Sequence, residues 1–339
     1  PIRKKEAALF PYPGWKADGW WTGTLGEDEK PTILNPKQGF IVTANNSMVP
    51  AGYDHYISES WLLPFRAERI AELLSQSSKH TVETMMAVQN DIVSKQARLL
   101  LPYVLGAGKA TGTAGEARRL FESWDGTIGP GAAPALFESF MDAFMKAAFK
   151  DELGDIFKGL GSLLFEEPIL LYRVLADRNS PWFDDRSTPT VENRDDRIIK
   201  SLGEAYAGLA GRYGGSEKWD WAVIHSLSFR HSLGRVPLLR FFNAGTHPMP
   251  GDAFTVRAAY PSPSGRTNAA ASFRIIVDLG DLRKSVSINT SGESGHFLSR
   301  HYKDQLPLWL KGAYHPMLFE RRDVEAQARE VLLLSPLSK

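Results

Sequence analysis

Asn35-Pro36-Lys37-Gln38-Gly39-Phe40-Ile41-Val42-Thr43-Ala44-Asn45-Asn46 is the stretch on which the reading of this 339-residue chain turns. Asn-Pro and the glycine mark a loop. Residues 39–44 then run apolar, as a short buried strand does. Two carboxamides follow at the strand end. A side-chain amide fixed there points at whatever lies beyond the sheet. That suits a hydrogen-bond donor aimed at charge that develops only in a transition state. Taken alone, Asn45-Asn46 also makes a turn, because Asn tolerates tight backbone conformations.

Composition narrows the classes. Hydrophobic residues are 43% and charged residues 23% of the chain, ordinary for a globular protein. Lys and Arg number 40 against 39 Asp and Glu, so no bulk field recruits nucleic acid or an anionic membrane. There is no cysteine, which excludes disulfides, thiolate catalysis and Cys-ligated zinc and fits a periplasmic or secreted protein. No apolar run is long enough to span a bilayer. The chain opens at Pro1 without an apolar leader, as expected of an end left by processing.

Three regions are expected. Residues 1–80 hold a Pro/Gly/Trp-rich loop, the core strand and a helix over 66–74. The aromatics of the loop, Trp20 and Trp21 among them, are expected to pack, as is Trp61. Residues 81–215 read as a helical insertion. Thr81 caps one long helix carrying Met85, Val88, Ile92 and Leu99. The glycines of 106–113 join two helices, since their spacing is not that of a phosphate loop. Further helices fall at 116–124, 133–148, 167–176 and 194–213, the last ended by Gly214-Gly215. Residues 216–339 are β-rich, with strands over 255–260, 272–278 and 284–289 and a closing helix from Arg322. Strands at both ends and helices between give an α+β layout.

The run continues through Tyr53-Asp54-His55-Tyr56 to Ser60-Trp61-Leu62-Leu63-Pro64-Phe65-Arg66-Ala67-Glu68-Arg69-Ile70. Later blocks keep the same order: Phe229-Arg230-His231-Ser232-Leu233-Gly234, Pro248-Met249-Pro250-Gly251-Asp252, Ser291-Gly292-Glu293-Ser294-Gly295, and His301-Tyr302-Lys303-Asp304-Gln305 before Trp309. Together they resemble the C-terminal part of the β chain in the penicillin acylase (penicillin amidase) family of N-terminal-nucleophile hydrolases. The stretch from about Leu105 to Lys218 matches only in helical character.

The resemblance implies part of a four-layer αββα fold and hydrolysis of an amide in an N-acylated small molecule such as a β-lactam antibiotic. An acyl-homoserine lactone is the alternative substrate, and a non-enzymatic relative the alternative to an enzyme. The nucleophile would be the N-terminal Ser of another polypeptide, with its own amine as base. Carried over by motif, Asn45 is the side-chain donor to the oxyanion, and Arg69 orients Asn45 and the nucleophile's amine. Asn46 braces the turn. No cofactor is required for the chemistry. The family often binds a structural calcium, and its acidic ligand position falls here on Ser60, with Glu59 the neighbouring carboxylate that could substitute.

Other constellations are weaker. Ser294 lies in Gly292-Glu293-Ser294-Gly295, which is not the G-x-S-x-G elbow. The eight histidines show no H-E-x-x-H pattern and no i,i+4 pair. Asp252 and Asp304 have no paired carboxylate at local spacing and read as residues that bond turns.

Overall fold

The computed structural model describes residues 1–2, 11–50, 52–58, 60–157, 168–261 and 267–336. Helices fill the first two thirds: α1 Phe65–Ser75, α2 Val82–Gln89, α3 Lys95–Gly106, α4 Gly112–Phe121, α5 Ala132–Leu153, α6 Ile169–Val174, α7 Arg194–Tyr213 and α8 Trp221–Ile224. Short strands follow: β1 Leu227–Phe229, β2 Gly245–His247, β3 Ala259–Pro261, β4 Thr267–Ala270, β5 Arg274–Ile276, β6 Val286–Ile288 and β7 His315–Pro316, with helices α9 Leu306–Leu310 and α10 Arg321–Gln327 among and after them. One sheet has the order β2-β1-β4-β3 and the other β5-β6-β7. Among the described residues only β1 and β4 pair parallel. The class is therefore mixed α+β.

The helical core is built on α5. Phe137, Phe140 and Phe144 recur at helical spacing and are all buried. Phe140 stacks on Phe144 with centroids 5.4 Å apart, and Phe144 stacks on Phe183 at 6.0 Å. Each ring removed from water stabilises the fold by about 1.5–3 kcal/mol. Helix α7 packs on α5 with Ile198, Leu202, Ala205 and Leu209. Its ends are set by chemistry in the sequence. The Asn193 side chain accepts from the N–H groups of Asp195 and Asp196, and Gly214 takes φ 84°, which only glycine adopts freely. A second core gathers Met249, Ala259, Ile288, Leu306 and Trp309 around the sheets. Trp309 is 1% exposed, and its indole N–H donates to the Ser272 carbonyl at 2.9 Å.

Three expectations are corrected. The long helix from Thr81 is two helices. Thr81 caps the first, but Asn90 ends it, Val93 bridges to Thr127, and the Ser94 hydroxyl accepts from Ala97 N–H to start the second. Two capping residues outweigh apolar periodicity here. Residues 39–44 form no paired strand, because no other described segment lies alongside them, and pairing is a non-local requirement. Trp20 and Trp21 are 60% and 68% exposed, so this chain buries neither.

Candidate active site

Asn45 ends the apolar run in the left-handed region, with φ 64°. Asn bears that conformation better than most residues. Several hydrogen bonds fix the turn. Asn46 Oδ1 accepts from the Ala44 N–H at 3.0 Å. The Leu62 N–H donates to the Asn45 carbonyl at 2.9 Å. Arg66 Nη2, from the first turn of α1, donates to the Ala44 carbonyl at 2.9 Å and to Asn45 Oδ1 at 2.7 Å. A guanidinium has donors only, so the amide atom facing it has to be the oxygen. The Nδ2 N–H groups of Asn45 therefore point away from Arg66, and Asn45 is exposed.

The partner of Asn45 is thus Arg66 and not Arg69. Arg69 is 8% exposed on the inner face of α1. Its Nε and Nη2 donate to Asp91 Oδ1 and Oδ2 at 3.0 and 2.8 Å, and its Nη1 donates to Glu72. The Asp91 hydrogen bonds raise its pKa further, and the fork clamps α1 to the segment after α2. Geometry explains the exchange. Leu62 is tied to Asn45, so a side chain early in α1 reaches the amide. Arg69 lies about 4.5 Å further along the axis, at about 1.5 Å per residue. The Leu62 tie forms only on folding, so no signal in the sequence separates Arg66 from Arg69.

Glu59 lies outside the described residues. Among the described residues no three His, Asp or Glu side chains converge as metal ligands. Ser294 Oγ accepts from the His296 N–H, while His301 Nδ1 pairs with Asp304 at 2.7 Å and its Nε2 accepts from Arg300. Among the described residues no histidine ring bonds Ser294 Oγ. A cleft of about 980 Å³ opens between α5 and α7, and neither Asn45 nor Arg66 lines it.

A buried polar cluster under that cleft went unseen in the sequence. Asp252 Oδ1 accepts from the Phe254 N–H at 2.7 Å, the turn role expected of it. Its carboxyl also meets that of Glu138 from α5. Nearby, His225 stacks on Trp221 with centroids 4.4 Å apart. Its Nδ1 bonds the Met249 carbonyl at 3.0 Å, and desolvation lowers its pKa to about 4.

Residues 1–326 match the family model described as penicillin amidase. This chain belongs to the penicillin amidase family. An acyl-homoserine lactone acylase QuiP of Pseudomonas aeruginosa is 29% identical, over 96% of this chain and 43% of that protein. Its namesake in Pseudomonas putida is 30% identical, over 99% of this chain and 44% of that one. A penicillin acylase 2 proenzyme of a Pseudomonas species is 28% identical, over 97% and 42%. The chain thus spans less than half the length of these relatives. Among solved structures, a thermostable penicillin G acylase from Alcaligenes faecalis shares the fold with a TM-score of 0.57 at 17% identity, over 95% of this chain and 61% of that one.

Proposed function

We propose that this chain is the C-terminal portion of an amide-cleaving acylase, in which Asn45 Nδ2 donates to the oxyanion of the tetrahedral intermediate. The observation that carries the reading is the Arg66–Asn45 bond. It fixes the amide on a strained turn with its oxygen engaged and its N–H groups free. Such a preorganised donor costs no reorganisation when charge appears. A serine at the start of another polypeptide attacks the acyl carbonyl, and its α-amine takes the proton. The same polypeptide closes the cavity around Asn45, which is exposed in this chain by itself, and completes a four-layer αββα arrangement. The names of the relatives support an N-acylated small molecule as substrate, either a β-lactam or an acyl-homoserine lactone. The cysteine-free composition suits a periplasmic or secreted enzyme.

The test is Asn45→Ala in the assembled enzyme, assayed on penicillin G and on an N-acyl-homoserine lactone. A loss of about 10²–10³-fold in kcat with the fold retained is expected. Undiminished turnover on both substrates would remove Asn45 from the mechanism. Whichever substrate the parent enzyme cleaves faster assigns the acyl class.

A further inference from the structure

From Trp221 to Gly251 the chain has no Asp or Glu, yet it carries Arg230, Arg235 and Arg240. All three arginines are exposed, and none pairs with a carboxylate among the described residues. Between them stand Leu233, Val236 and Leu238, with Phe241 after the last, all exposed as well. The loop packed against this segment, residues 291–304, holds two acids, and both are engaged elsewhere. Glu293 accepts from Gln305 Nε2 at 2.9 Å, and Asp304 pairs with His301 at 2.7 Å. The face therefore presents apolar side chains among cations that nothing neutralises.

The segment is braced. The His231 N–H donates to Asn243 Oδ1 at 2.9 Å, and Asn243 Nδ2 donates to the Gly234 carbonyl at 3.1 Å, which ties its two ends. Phe242 stacks on His231 with centroids 5.0 Å apart and meets Phe297 at 4.8 Å. The Tyr302 hydroxyl donates to the Phe242 carbonyl at 2.7 Å. A frame fixed in advance lowers the entropic cost of binding.

The charge and the local fold select among occupants. A second copy in a two-fold contact would set these arginines against themselves. A bilayer surface takes up an amphipathic helix, whereas this segment is two short 3-10 turns, Leu233–Arg235 and Pro237–Phe242. Arginine and aromatic side chains together mark contacts between proteins, and more than half the length of the relatives lies outside this chain. We propose that residues 230–242 are the seat of an acidic, apolar segment of the polypeptide that completes the acylase, with its carboxylates on Arg230, Arg235 and Arg240 and its apolar side chains on Leu238 and Phe241. This rests on the reading that a second polypeptide brings the nucleophile.

The experiment uses this chain co-produced with the rest of the acylase. Arg235→Lys with Arg240→Lys keeps both charges and supplies amines, which a water-soluble carbodiimide joins to any carboxylate in direct contact. Peptide mass spectrometry should find these amines bonded to Asp or Glu of the completing polypeptide. Cross-links only within this chain, to a second copy of it, or to nothing overturn the proposal. Arg235→Glu with Arg240→Glu should lower the fraction assembled by about tenfold and remove its dependence on salt, with kcat per assembled enzyme unchanged. Parental assembly in that variant overturns the proposal, as does retention of the parent on vesicles of anionic phospholipid that the variant loses. The cross-link is read without activity. Cross-linked but inert enzyme therefore sinks the oxyanion reading alone, and active enzyme without the cross-link sinks this one.

Discussion

Arg66 donates to the side-chain oxygen of Asn45 at 2.7 Å and to the carbonyl just before it at 2.9 Å, so one guanidinium orients both the amide and its backbone. Arg66→Ala should therefore lower kcat of the assembled acylase by about 10²-fold, while leaving the melting temperature nearly unchanged. Arg66→Lys should recover only part, since an ammonium cannot serve both acceptors in the same planar geometry. Steady-state kinetics on the two variants checks the order.

Arg69→Ala should behave in the opposite way. It leaves Asp91 without its fork on a largely buried surface. Breaking such a pair costs about 3 kcal/mol, visible as a lower denaturation midpoint. Any activity loss should follow from stability. A stable Arg69→Ala protein with kcat as low as Arg66→Ala would reverse the two roles.

His225 makes stability sensitive to acid. Its pKa falls from 6.5 to about 4 on folding, because burial disfavours the cation. A depressed folded value means the contribution is complete above 6.5 and is lost as pH falls toward 4. The full shift corresponds to roughly 3 kcal/mol. Chemical denaturation across that range should show the decline, and His225→Phe should flatten it.

Trp309, on α9, touches both sheets. Its ring meets Phe229 at 5.8 Å and lies under the Arg274 guanidinium at 5.1 Å. Trp309→Ala should cost about 3–5 kcal/mol. Trp309→Phe should cost less, by keeping the ring but losing the bond to the Ser272 carbonyl. Urea titrations of the two variants give the comparison.

Leu238, Phe241 and Leu298 are 87%, 55% and 74% exposed, and the Phe241 ring meets Phe297 at 5.0 Å. Apolar surface gathered like this marks a contact face. The chain produced alone should enhance the fluorescence of a hydrophobic dye, and co-production with the polypeptide proposed to carry the nucleophile should quench it. A dye-silent, monodisperse chain would argue against a missing partner.

What the sequence disclosed followed the range of the forces involved. Helix α7 was legible to the residue, since Asn193 and Gly214 act within one turn of its ends. The break at Asn90 was hidden, because a bridge from Val93 to Thr127 helps to enforce it. Residues 39–44 have strand chemistry but no strand pairs with them among the described residues. At the site, the motif names Asn45 with Arg69, whereas the side chain that bonds Asn45 is that of Arg66. Two arginines three residues apart share a helix, and only the Leu62 tie separates their reach. Glu138 and Asp252 each look like an isolated acid until folding joins them.

The left-handed turn at Asn45 has a consequence for redesign under the proposed reading of Asn45 as oxyanion donor. Glutamine would carry the same amide one carbon further out and would also lose the backbone tolerance that asparagine brings, so the donor cannot be moved by lengthening its arm.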